Sequence, residues 1–164
     1  MILAISAFTT IHVALSLIGI LSGFMVVLGM LAAKRLTGVI ALFLLTTAAT
    51  SVTGFFFPFH GVTPGIVIGI ISLVVLSIAV LALYGLHLSG PWRSIYVVTA
   101  LMAQYLNAFV LVAQLYEHVP ALRALDPTQS GPPFKITQLA VLALFVVLAS
   151  AAVAKFHPGR ARAV

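Results

Sequence analysis

Chemistry in this chain has to come from imidazoles, amides and hydroxyls, because little else reactive is present. His12, His60, His87, His118 and His157 are the five histidines, Glu117 and Asp126 are the two carboxylates, and cysteine is absent. Thiolate catalysis, disulfides and Cys-ligated metal centres are therefore excluded. Both carboxylates lie near the outer surface, Glu117 at the end of the fourth apolar run and Asp126 beyond it, and no paired-carboxylate site of the glycosidase kind is expected. The nucleophile elbow G-x-S-x-G, the P-loop and the dinucleotide fingerprint are all missing. A non-enzymatic role is the expectation.

The histidines divide into His12, His60 and His118 toward one side and His87 and His157 toward the other. A b-type haem needs two axial imidazoles at matching depth on facing helices. His12 and His118 are the pair on helices at that side, and a rise of ~1.5 Å per residue separates their depths by roughly 10 Å. His60, Glu117 and His118 have the side chains of a zinc site but no ligand spacing. No metal site is expected, the cofactor is unassigned, and quinone and haem b stand as alternatives.

The polar residues are spaced along helical faces. Thr9, His12, Ser16, Gly19 and Gly23 form one stripe; Gln104, Asn107, Gln114 and His118 form another, with Tyr105 beside it. Thr46, Thr47, Thr50, Ser51 and Thr53 crowd a third segment. An amide or imidazole facing hydrocarbon without a partner is costly, so these stripes should face inward. On the same rise, His12, Thr50 and Thr53 lie roughly 4–8 Å to one side of the membrane midplane and Gln114 roughly 13 Å. The expectation is an outward-opening polar pocket of His12, Thr50, Thr53, Asn107 and Gln114, with Gln104, Tyr105 and His118 completing a ligand-binding set. Its mouth would be His60, Glu117 and His118. The competing reading is interhelical hydrogen bonding alone, at about 0.6 kcal/mol per bond. His12 favours a pocket, because an ionisable side chain inside a membrane marks function by default.

The elements that must carry these stripes follow from composition. Hydrophobic residues make up 63% of the 164 positions and charged residues 6%, against roughly 25% charged in a soluble domain. One crossing of a bilayer takes about 20 apolar residues, and the chain provides five such runs, at about 3–33, 38–57, 63–87, 92–118 and 134–156. The fold expected is an all-α integral membrane protein, a five-transmembrane-helix bundle in a single domain over 1–164. The first run is too long, and too poor in preceding positive charge, for a signal peptide, and reads as a retained helix. Lys34, Arg35, Arg93, Lys155, Arg160 and Arg162 fall on one side, Arg123 and Lys135 on the other. That asymmetry predicts the N-terminus outside and the C-terminus in the cytoplasm; the sequence resembles small bacterial inner-membrane proteins, which makes a bacterial inner (plasma) membrane the expected location.

The net charge of +6 does not indicate nucleic acid, because the cations sit singly or in pairs at helix ends and form no stripe. Membrane lipids are the expected partners. Glycine faces at Gly19/Gly23 and Gly65/Gly69 could join copies into a homo-oligomer. Ile18–Ser22 resembles Ile68–Ser72, and 36–38 resembles 88–90, as two parallel hairpin repeats would. The polar loop 119–133 suggests a short interfacial helix and either a lid or a docking element. Without membrane carboxylates, cation-coupled transport is disfavoured. The function expected is binding, with transport as its extension, of a small neutral or lipid-like ligand. A quinone- or haem-binding redox subunit and an accessory membrane protein without ligand are the alternatives.

Overall fold

The computed structural model describes residues 2–58 and 63–157, with side chains from Ala7 onward; His60, Arg160 and Arg162 lie outside the described residues. Among the described residues, five helices are long and apolar enough to cross a membrane, the third counted with the turn that continues it to Gly85. They are α1 (Ile2–Leu31), α2 (Thr37–Gly54), α3 (Pro64–Val80), α4 (Trp92–His118) and α6 (Pro132–Lys155), with a short α5 (Pro120–Leu125) in the connection before α6. Each run expected from the sequence holds a helix, shifted by a few residues at its ends.

Local chemistry sets the boundaries. Thr63 caps α3, its hydroxyl accepting from the Ile66 amide at 3.4 Å, and Pro64 follows where a missing N–H has no helical partner to lose. Prolines open α5 and α6 in the same way. At the end of α1 the Lys34 amide donates to Gly29 O at 2.8 Å and the Ala33 amide to Met30 O at 3.1 Å, with Ala33 at φ 56°. This is a Schellman ending with alanine at the left-handed position glycine usually takes. Helix α3 ends differently. Leu81–Gly85 widen into a π-helical turn, closed by Leu86 N donating to Leu81 O at 2.9 Å, and His87 and Leu88 both adopt positive φ.

Helix α4 is the centre of the bundle, packed against α1, α3 and α6. Helices α1 and α2 form an antiparallel hairpin in which His12 meets Thr53, Gly19 meets Thr47 and Gly23 meets Phe43. Val27, Met30, Phe43, Leu76, Leu83, Tyr96, Leu101 and Phe156 are buried together at the end bearing Lys34 and Arg35. The exterior stays apolar: Leu21, Leu28, Leu45, Val74, Leu139 and Val147 are all exposed. In water such a surface would aggregate; against lipid tails it is at home.

Candidate functional site

Part of each polar stripe turns inward, forming two hydrogen-bonded groups, while Thr9, Gln114 and His118 are exposed. In the first, His12 Nδ1 lies 2.8 Å from Thr53 Oγ1. The Thr53 hydroxyl also donates to Ala49 O at 2.8 Å, with Thr50 O at 3.1 Å. A hydroxyl has one proton, so with that proton on the backbone, His12 Nδ1 must be the donor and Nε2 keeps a free lone pair. Phe57 packs edge-on against the imidazole at 5.0 Å and Phe8 packs on Phe57 at 5.1 Å. Thr50 Oγ1, one turn away, is buried with no hydrogen-bond partner.

The second group sits deeper, between α1, α2 and α4. Gln104 is fully buried, and its Nε2 donates to Ile20 O at 2.9 Å. Asn107 Nδ2 donates to Thr47 Oγ1 at 3.1 Å and approaches Gln104 Oε1 at 3.5 Å. The glycines of α1 make room for this. A Cβ on Gly23 would overlap the Gln104 amide and lie 2.9 Å from Phe43 Cε2; one on Gly19 would lie 3.2 Å from Thr47 Oγ1. The G-x-x-x-G pair therefore joins α1 to α2 and α4 inside one chain. Thr46, Ser51 and Ser22 bond back to their own helices, as hydroxyls in apolar helices often do.

The remaining residues of the expected set point elsewhere. Gln114 and His118 are exposed, and His118 Nδ1 lies 3.0 Å from the Gln114 carbonyl of its own helix. They turn away because helical spacing carries the lower part of the α4 stripe toward α1 and α2, whereas its upper turns rise past that contact. His12 and His118 thus belong to different surroundings. Among the described residues, no three His, Asp or Glu side chains converge as metal ligands. Tyr105 faces α6, its ring 5.8 Å from Phe145 and 6.3 Å from Phe109.

That α4–α6 side holds a groove of about 460 Å³ lined by Tyr105, Phe109, Phe134, Lys135, Gln138, Leu139 and Leu142. Gln138 is buried in its wall; Nε2 donates to Phe109 O at 3.1 Å, while Oε1 has no partner. The sequence reading passed over Gln138, although a lone amide within an apolar run was the available signal. At the groove's end the Tyr116 hydroxyl lies 2.9 Å from Thr137 Oγ1 and donates to Pro133 O at 3.2 Å.

The connection above it is pinned. Asp126 is buried and accepts from Gly131 N at 2.8 Å, Ser130 N at 3.3 Å and the Thr128 hydroxyl at 3.4 Å. Gln129 Nε2 reaches Ala113 O on α4 at 3.2 Å. A short helix, expected in the 119–133 loop, is present at Pro120–Leu125, and the connection is tied to the bundle. At the opposite end Arg93 Nη1 donates to Val153 O and Phe156 O at 2.8 and 2.7 Å, closing the carbonyl end of α6. The sequence had shown Arg93 only as a boundary charge.

Comparison of the chain with protein-family models, with curated proteins and with solved structures returned no match.

Proposed function

We propose that this is a non-enzymatic membrane protein that binds a small neutral, lipid-like ligand, and that the ligand occupies the α4–α6 groove. The observation that carries the reading is the aromatic groove of about 460 Å³ with the Gln138 side chain in its wall, the amide oxygen turned inward, buried and without a partner. Small-molecule sites have volumes of roughly 300–1,000 Å³, mostly apolar walls and a few placed polar groups. An unpaired acceptor loses about 1–3 kcal/mol relative to a satisfied one, so rotation of the Gln138 amide toward the groove to accept from a ligand hydroxyl recovers what the buried oxygen forgoes. Phenols, quinols and long-chain alcohols combine such a donor with an apolar body. Tyr105, from the expected set, contributes its ring to this groove.

His12, Thr53, Gln104 and Asn107 are spent on bonds within the chain, which supports their role as joints of the scaffold that fixes α4. With the N-terminus outside, as the distribution of Lys and Arg argues, the groove opens in the outer half of a plasma membrane and the pinned 119–131 connection lies above it. The test is purification in mild detergent followed by extraction and mass spectrometry. The wild type should carry one hydroxyl-bearing apolar compound near one per chain, and Leu142→Trp, which fills the groove, should lose it. Equal recovery from both proteins, or no enriched compound in either, would overturn the reading.

A further inference from the structure

A second groove lies at the other end of the bundle, between α2 and α3. It measures about 480 Å³, is walled by Leu44, Ala48, Leu76, Ser77 and Val80, and ends at Tyr84 in the π-helical turn. Tyr84 is 46% exposed, so its phenol is accessible at the mouth. Behind it, the Tyr96 hydroxyl is completely buried and has no hydrogen-bond partner. Arg35 stands two residues before the start of α2, at the end toward which that helix's wall of the groove runs from Ala48 to Leu44.

Charge separates this end from the other. Lys34 and Arg35 are exposed in the α1–α2 connection, and Lys155 is exposed at the end of α6. Both carboxylates of the chain, Glu117 and Asp126, stand at the opposite end of the bundle, past the C-terminal turns of α4. The cations at this end of the bundle therefore have no side-chain anion within the chain to pair with. An apolar trough that ends at an exposed phenol, at the end of the bundle that carries the unpaired cations, is complementary to a molecule with an apolar tail and an anionic head. The backbone at the mouth is also held out of its ordinary range: His87 and Leu88 have φ of 50° and 58°. Bulky residues seldom adopt that conformation, and where they do the site is frequently functional.

We infer that the α2–α3 groove binds an anionic phospholipid, one acyl chain lying along Leu44, Ala48 and Val80 and the phosphate meeting Tyr84 and Arg35. The site is separate from the α4–α6 groove and takes a charged ligand, so the two stand or fall independently. The phosphate accepts from the Tyr84 hydroxyl and from the Arg35 guanidinium, whose planar donors suit a phosphate oxyanion. The chain satisfies the trough.

Native mass spectrometry of the delipidated full chain tests this, with phosphatidylglycerol and phosphatidylcholine of identical acyl chains added in turn. Phosphatidylglycerol should remain bound at several-fold lower concentration than phosphatidylcholine. Arg35→Gln should weaken that binding about fivefold, the effect of one basic side chain at a lipid surface. Tyr84→Phe, at an exposed position that need not disturb folding, should weaken it as well, and Ala48→Phe should abolish it by filling the trough. Millimolar inorganic phosphate should not compete, because it lacks the chain. Equal retention of the two lipids, unchanged binding in Arg35→Gln and Tyr84→Phe, or displacement by inorganic phosphate would each overturn the inference.

Discussion

Gly23 is the residue on which the interior polar network depends. It leaves the space in which the Gln104 amide reaches Ile20 O, and a methyl group there collides with that amide and crowds Phe43. Gly23→Ala should therefore destabilise the fold by about 1–3 kcal/mol, the usual range for overpacking a core. Gln104→Ala in the same chain should recover part of that loss, read as a non-additive double-mutant cycle of thermal unfolding in detergent. Additive losses would mean that Gly23 and Gln104 do not meet. Asn107 has a smaller effect. Its bond to Thr47 is a single interhelical contact between polar groups, and Asn107→Leu should cost about 0.6 kcal/mol with ligand recovery unchanged. Loss of ligand in that variant would return the binding role to the α1–α2–α4 interface.

Element ends carry the next level of specification. Ala33 occupies the left-handed closing position of α1, where an L side chain is strained by roughly 1–2 kcal/mol and glycine is not. Ala33→Gly should raise the unfolding midpoint, less the extra chain entropy glycine adds to the unfolded state. A lowered midpoint would contradict the assigned ending. Arg93 holds the last carbonyls of α6 from a neighbouring helix. Arg93→Met should speed hydrogen exchange of the amides at 152–156 while leaving α1 and α2 unchanged; uniform acceleration would indicate global loosening instead. The helices themselves were legible in the sequence because apolar length is a one-dimensional signal. The π-helical turn at Leu81–Gly85 and the grip of Arg93 on α6 were not, since each depends on which helices become neighbours.

The same limit appears across the whole molecule. Inward-facing stripes were readable on α1, α2 and α4, because hydrocarbon penalises polar groups wherever they face it. Their merging into one chamber was not, since helical rotation sends Gln114 and His118 outward while Gln104 and Asn107 bond inside. A groove with a buried, unmet amide oxygen in its wall formed instead against α6, whose single buried amide gave no periodic signal. Orientation is open to a direct check, because the chain has no cysteine. A cysteine placed at Arg123 in intact cells should react with a membrane-impermeant maleimide and one placed at Thr37 should not; the reverse pattern would invert the topology.

The location of the ligand decides the account most directly. A hydroxyl-bearing, photoactivatable long-chain alcohol incorporated with the protein into lipid nanodiscs should label peptides spanning 105–109 and 134–142 in preference to the rest of the apolar surface. Labelling there should fall away in Leu142→Trp. Labelling spread evenly over exposed residues of α1, α3 and α6, such as Leu21, Val74 and Val147, would contradict a binding groove between α4 and α6.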